Sequence, residues 1–339
     1  MAAVPAGPPT TVLAAPDAFK GTLRATEVAA ALDRGLERAG WHCNRCPVAD
    51  GGEGTLEILL TALGGQTDAA EVHDPLGRPL RAGFGLLEDG ATAIVEVAAA
   101  SGLTLLGASE RDAEGASSAG TGELIGAAVD AGASVVLVAA GGSATTDGGA
   151  GALEALEIRG GLRGARLVVL CDVRTPWERA ASTFAPQKGA DPAGVRRLAR
   201  RLRDRAAQLP RDPRGVAMTG AAGGLAGGLW AVHDARLEPG AAFVLDALGF
   251  DAPMRAARAV IAGEGRLDAQ SLEGKAVGEV AIRCRQSGVP AHAIVGENAL
   301  DPFERRILDL QTIDEAATLE AIETTAARLG ERLTEESGR

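Results

Sequence analysis

Lysine is scarce in this chain. Of 34 basic residues only three are lysine (Lys20, Lys188 and Lys275), and the rest are arginine. Such a skew follows from a GC-rich coding background, under which solvated lysines drift to arginine at little cost. A lysine that survives the drift is a candidate for a position where a compact, flexible ammonium does what a planar fork cannot. All three sit beside glycine, in KG, KGA and GK. Long apolar runs are missing too: VVLVAA at 135–140 is far shorter than the ~20 residues of a membrane-spanning helix. The N-terminus, MAAVPAGPPT, lacks the basic start and apolar stretch of a signal peptide. Four cysteines in 339 residues point to a reducing cytoplasm, not a disulfide scaffold. Nor is there an excess of positive charge. A formal net charge of −11 argues against nucleic-acid and anionic-membrane partners, so an anionic ligand would need cations concentrated locally.

Several familiar signatures are absent as well. There is no GxGxxG, no GxxxxGKS/T, no HRD or DFG, and no GxSxG elbow. His42, His73, His233 and His292 fall in no metal-ligand spacing. Cys43 and Cys46 form a CxxC with no second pair, in a stretch that reads as a strand, and Cys171 and Cys284 read as small buried hydrophobes. What remains is a globular chain, 46% hydrophobic and 23% charged, long enough for roughly two domains.

Apolar runs alternate with amphipathic segments. Strands are expected at Val12–Ala15, Ile94–Val97, Val135–Ala140, Leu167–Cys171, Ala259–Ala262 and Ala293–Val295. Helices are expected at Ala25–Ala39, Thr55–Leu63, Thr121–Ala131, Gly194–Leu209, Lys275–Gln286 and Leu319–Leu333. Runs that are apolar at every position suit strands buried on both faces, so the fold class is α/β with largely parallel sheets. Ala69–Val97, with its DPLGRP and LEDGAT turns, reads as a local antiparallel element. In VRRLARRLRDRAAQL the residues Val195, Leu198, Leu202, Ala206 and Leu209 form one buried stripe, which leaves the arginines to solvent.

Several apolar runs end in glycine plus a carboxylate. These ends carry Asp17 with Lys20, Asp50 with Glu53, Asp147, Asp172, and Glu264 with Arg266 and Asp268. Ligands of open α/β sheets bind outside the carboxyl ends of strands, so these ends imply a large polar cleft. The loop Gly141–Gly151 is the strongest phosphate candidate. Gly141 and Gly142 let backbone N–H groups approach an anion, Ser143, Thr145 and Thr146 add hydroxyls, and Asp147 sits where a helix cap would. Gly/Ser/Thr loops are also ordinary capped turns. The second cluster, TGAAGGLAGGLW at 219–230, suits either a ligand or close helix packing. Phosphoryl transfer needs cations for the phosphates, a carboxylate for the metal and a group to orient the acceptor, and these residues offer all three. Asp74 in DPLGR reads as a turn former, whereas Arg78 could clamp a carboxylate or be solvated.

Ten blocks together resemble the bacterial class I glycerate kinases, of the glycerate 2-kinase type. They are APDAFKGTL, PVADGGEGT, DPLGR, AAASGL, SSAGTGELI, GGSATTDGGAGAL, CDV, FAPQKGA, AAGGLAGG and AGEGRLDAQSLEGK, in the family's order from about Ala15 to Gly296. The resemblance implies two α/β domains, Rossmann/flavodoxin-like and restriction-endonuclease-like in the family. One would be built from both chain ends (10–66 plus 289–339) and the other inserted (67–288), with the active site in the cleft between them. It also implies a cytoplasmic enzyme that uses ATP and Mg2+ to phosphorylate D-glycerate, with 2-phosphoglycerate favoured over 3-phosphoglycerate and a homodimer left open. The rivals are a kinase of another small hydroxy acid on the same fold and a catalytically silent ligand-binding relative.

Carried over by motif, the expected catalytic set is Asp17, Lys20, Asp50 and Asp172. Lys20, Arg78 and Glu53 are expected to bind substrate. Gly141, Gly142, Ser143, Thr145, Asp147, Lys188 and Lys275 are expected to bind nucleotide phosphates, and Asp172, Glu264 and Asp268 the metal. The chain departs from the family pattern in four places. Thr146 replaces an asparagine in GGSATNDGG, FAPQKGA stands for FGPQKGA, RTPW follows CDV where NPL is usual, and the stretch between Leu156 and Leu167 is short.

Overall fold

Strands without a polar position lie at the centre of both sheets of the computed structural model, which describes residues 11–19 and 21–337. The chain starts with β1 (Thr11–Pro16), fully buried from Val12 on. Next comes α1 (Ala25–Arg38), whose Val28, Leu32 and Leu36 recur every fourth residue and are wholly buried. The polar strand β2 (His42–Arg45) pairs with β1 in parallel at a sheet edge.

After α2 (Thr55–Leu63), β3 (Gly65–His73), β4 (Pro79–Leu87) and β5 (Thr92–Glu96) form the antiparallel element foreseen in the sequence. The short α3 (Val97–Ser101) and α4 (Ala119–Asp130) precede β6 (Val135–Ala139), and α5 (Ala150–Ile158) precedes β7 (Arg166–Cys171). Then come α6 (Ala180–Phe184), α7 (Pro192–Ala206), α8 (Leu225–His233), β8 (Arg236–Pro239) and α9 (Gly240–Ala247). From β5 to β8 the strands are parallel, and the six-stranded sheet has the order β3-β4-β5-β6-β7-β8.

The chain continues through α10 (Asp251–Ala256), β9 (Ala259–Gly263), β10 (Arg266–Leu267), α11 (Ala276–Ser287), β11 (Ala291–Val295), β12 (Glu297–Asn298), α12 (Pro302–Leu308), β13 (Thr312–Glu315) and α13 (Leu319–Ser337). β1 and β11 flank β9 in an all-parallel sheet of order β13-β11-β9-β1-β2, while β10 and β12 make a separate two-stranded ribbon. α13 lies on α1, where the Trp41 indole donates to the Gly330 carbonyl at 2.8 Å.

The described residues divide into two compact units, one running to Ala49 and resuming at Val244, the other spanning Asp50–Phe243. Both junctions differ from the 66/67 and 288/289 read in the sequence. α2 joins the second unit because it packs on β3, β4 and β5. β9 and α11 belong to the first because β9 is hydrogen-bonded beside β1 and α11 covers it. No helix among the described residues is long and apolar enough to cross a membrane.

Candidate active site

Two groups of polar side chains collect at strand ends, one in each unit. In the Asp50–Phe243 unit the centre is the loop between β6 and α5. It is pinned on several sides: Gly141 N–H donates to Gly51 O (3.4 Å), Ala144 N–H to Ser101 O (2.8 Å) and Gly148 N–H to Gly223 O (3.1 Å). Gly141 must be glycine for space, since a Cβ there would lie 2.5 Å from Gly52 Cα and 3.3 Å from Asp172 Oδ2. The ADGGEG loop and the end of β7 therefore converge on the start of the glycine-rich loop.

Lys188 reaches this loop from the turn after α6. Only 2% exposed, its ammonium donates to Ser143 Oγ at 2.9 Å and to Thr145 O at 2.6 Å. Burial pushes its pKa down to about 8, while the charges of Asp147 and Asp172 pull the other way. The hydroxyls of Thr145 and Thr146 are fully buried and have no hydrogen-bond partner among the described residues. Buried polar groups are almost always satisfied, so two orphans side by side on a glycine loop mark a place where a ligand would complete the network.

Asp147 is spent on the protein itself. Its Oδ2 accepts from Ser118 N–H (3.0 Å), Ser118 Oγ (2.7 Å) and Gly151 N–H (3.1 Å), and its Oδ1 from Gly149 N–H (3.0 Å). This carboxylate caps α5 and ties it to the start of α4, so it shapes the loop. Asp50 is wholly buried and accepts from Gly52 N–H at 3.0 Å, whereas Glu53 is exposed. Asp172, at the end of β7, is half-buried.

Sequence reasoning missed Glu96. It ends β5 as Asp172 follows β7, and its Oε1 accepts from Leu56 N–H at 2.8 Å, anchoring the start of α2 behind the ADGGEG loop. Burial raises its pKa to about 6, against the hydrogen bonds from Leu56 and Gly54 that favour the charged form. The signal was the same as at the other strand ends: the apolar run AIV closes on a carboxylate.

Arg78 is committed to its own turn. Its Nε donates to Asp74 Oδ2 and its Nη1 to Glu110 Oε1 at 2.7 Å, while Asp74 Oδ1 accepts from the backbone N–H of Leu76 and Arg78. Asp74 is the turn former expected, and Arg78 serves that turn. Because Arg78 itself is solvent-exposed, Arg78→Ala should lower stability only slightly. It should change the KM for a carboxylate substrate less than twofold. Chemical denaturation and steady-state kinetics check both.

In the other unit Asp17, Glu264, Asp268 and Lys275 line one cavity of about 420 Å³, together with Arg266 and Glu297. Glu264, 6% exposed, accepts from Ser271 Oγ at 2.6 Å. Asp268 caps the turn at Ala269–Glu273 by accepting from Gln270 N–H at 3.0 Å. Asp17 follows β1, its backbone N–H donating to Gly263 O at 2.8 Å. Lys275 is half-buried at the start of α11. Lys20 lies outside the described residues. The expected site residues that are described thus fall into these two groups, except Arg78, which is held by Asp74 and Glu110.

Among the described residues no three or more His, Cys, Asp or Glu side chains are arranged to hold a metal ion. Burial raises the thiol of Cys43 to about 12 and that of Cys46 to about 11, so neither is an activated thiolate at neutral pH.

The model of the glycerate kinase family matches residues 12–162 and 157–337. The chain belongs to the glycerate kinase family. It is 38% identical to the glycerate kinase of Bacillus subtilis (strain 168) over 330 residues, covering 86% of each chain. To the glycerate 2-kinase of Escherichia coli (strain K12) it is 35% identical over 352 residues, 90% of this chain and 92% of the relative. A crystal structure from Salmonella typhimurium LT2, assigned as a glycerate kinase 2, superposes with a TM-score of 0.79 at 33% identity, covering 97% of this chain and all of that one. The two matched pieces of the family model meet at the short segment after Leu156. There α5 ends at Ile158 and β7 begins at Arg166, with Gly160, Gly161, Arg163 and Gly164 all at positive φ. A tight left-handed turn therefore makes the shortened link, and the flanking helix and strand are intact.

Proposed function

We propose that this glycerate kinase family enzyme transfers the γ-phosphoryl group of ATP to D-glycerate and that its product is 2-phosphoglycerate. The observation that carries the nucleotide half is the Lys188 ammonium, buried on the glycine-rich loop beside the unpartnered hydroxyls of Thr145 and Thr146. Phosphoryl transfer is mostly positioning and charge stabilisation. In this reading Lys188, Ser143, Thr145 and the N–H group of Gly142 hold the nucleotide phosphates, Gly141 lets them approach for want of a side chain, and Asp147 keeps the loop in shape. Thr146, where the family has asparagine, adds a hydroxyl but no amide donor.

Mg2+ fits the residues present. It keeps several waters and needs only one or two carboxylates besides the phosphates, so the lack of a three-carboxylate cage is no obstacle. Asp172, whose Oδ2 borders Gly141, is the proposed ligand on the loop side, and Glu264 or Asp268 would serve in the other cavity. When bound, the ion neutralises charge on the transferred group. Asp17, Asp50 and Lys20 are proposed to orient the glycerate, with Lys275 a second phosphate cation. Glu53 is a weaker substrate contact because it is exposed. Arg78 leaves the glycerate set because two carboxylates already occupy it.

The charge state of Lys188 gives a pH test. Its ammonium is present below about 8 and lost above it, so kcat/KM for ATP should fall as pH rises through that range. A profile flat to pH 10 would remove Lys188 from the phosphate contacts. Phosphorus NMR of the product separates 2-phosphoglycerate from 3-phosphoglycerate, and a 3-phospho signal would overturn the assigned position.

A further inference from the structure

The arginines of α7 are not all left to solvent, and this separates the structure from the amphipathic-helix reading. Leu198, Leu202 and Ala206 are buried as expected. Arg201, however, donates through Nη2 to Thr146 O (2.9 Å) and through Nη1 to Glu114 O (2.7 Å), and Arg205 donates through Nε to Gly148 O (3.2 Å). Two guanidinium groups thus grip the rear of the glycine-rich loop. Beside them opens a groove of about 550 Å³, lined by Arg197, Arg200, Arg201 and Arg205 with Asp147 and Ala150 among its walls.

Charge in this groove is unbalanced. Arg197 is neutralised by a fork-like pair with Glu114 at 2.6 and 2.7 Å. Asp204 pairs with Arg203, and the Asp147 carboxylate is taken up by four donors of its own. Arg200, Arg201 and Arg205 make no ion pair among the described residues, although the charges of Glu114 and Asp147 lie near Arg201 and Arg205, and Arg200 makes no hydrogen bond there either. Arg205 is partly desolvated, which lowers its pKa. Each guanidinium carries five N–H donors, and Arg201 spends two and Arg205 one on the carbonyls above. The remaining donors face a cavity in a protein whose net charge is −11.

The geometry points to this groove as a binding site for the phosphate group of a small phosphorylated metabolite, coupled to the glycine-rich loop through Arg201 and Arg205. A phosphate dianion supplies the acceptor oxygens and the charge that the three arginines lack. Because the same two side chains hold Thr146 and Gly148, occupancy of the groove alters the rear support of the loop. The coupling rests on the proposal that this loop binds nucleotide, whereas the binding itself does not.

Inorganic phosphate titrated calorimetrically into the full chain, without nucleotide and at constant ionic strength, reads the binding directly. Saturable binding is expected, weakened at least tenfold in Arg200→Glu and unchanged in Lys188→Met. Arg200 supports neither the loop nor the fold, so Arg200→Glu should keep its Tm and its phosphate-free kcat/KM. No saturable binding at millimolar phosphate would overturn the site. So would binding that survives in Arg200→Glu and disappears in Lys188→Met, because the anion would then sit in the loop. In kinetics, saturating phosphate should shift KM for ATP more than kcat in the parent enzyme but not in Arg200→Glu. Equal shifts in both would overturn the coupling. A chain with no glycerate turnover would still give the calorimetric answer.

Discussion

Lys188→Met should lower kcat/KM for ATP by roughly 10²–10³-fold, the cost of removing one preorganised donor from developing charge, while leaving Tm unchanged or raised. The two halves of this expectation have different origins. Lys188 is 2% exposed and makes no ion pair among the described residues; its ammonium donates to a hydroxyl and a carbonyl. Its lowered pKa means the fold disfavours the charged form, so at neutral pH the ammonium costs stability relative to an uncharged side chain of similar length. That cost is present at pH 7 and relieved as pH rises through about 8, where the folded protein sheds the proton that the unfolded chain still holds. Thermal unfolding and steady-state kinetics on one preparation decide the matter. A large fall in Tm with kinetics unchanged would make Lys188 structural.

Gly223→Ala should destabilise the Asp50–Phe243 unit by about 3 kcal/mol, combining a left-handed backbone penalty with an overpacking penalty. For a unit of this size that is a drop in Tm of roughly 6–12 °C. Gly223 has φ +64°, and an added Cβ would lie 1.9 Å from Thr145 O and 2.8 Å from Thr146 Cα. Both neighbours are backbone of the glycine-rich loop, so no side chain can swing away. The same strand of contacts continues with Gly224 against Gly148 and with the bond from Gly148 N–H to Gly223 O. The second glycine cluster is therefore a packing floor beneath the loop, the close-packing alternative left open in the sequence. Gly161→Ala is the control: its φ is +71° but nothing lies within 4 Å, so only the backbone penalty of about 1 kcal/mol applies. Equal effects of the two substitutions would show that the floor is not tight.

The sequence was most legible where burial is two-sided. Val135–Ala139 and Ala259–Gly263 are apolar throughout, Ala291–Val295 is apolar but for the buried His292, and all three became parallel strands inside their sheets. The edge strand β8, RLEP, has no such pattern, and α9 is too short to show a period. The junctions between units were not legible because composition does not change there. They depend on pairing between β1 and β9, residues some 250 positions apart, which no local signal encodes. At the site, glycine spacing pointed to the loop, but residue type could not separate the aspartate that binds from the one that builds. Asp147 looked like a ligand contact, and its four hydrogen bonds assign it to the scaffold. Arg78 looked like a clamp and closes its own turn. Glu96 carried the strand-end signature and was overlooked inside an apolar run.

The cationic glycine loop is proposed to serve ATP-dependent phosphorylation of D-glycerate. Its most direct test is ADP release by the purified chain with ATP and Mg2+, measured with and without D-glycerate and repeated with Lys188→Met. Glycerate-dependent turnover is expected in the parent protein, with its near loss in the variant. Turnover indifferent to D-glycerate, or a Lys188→Met enzyme as active as the parent, would contradict it.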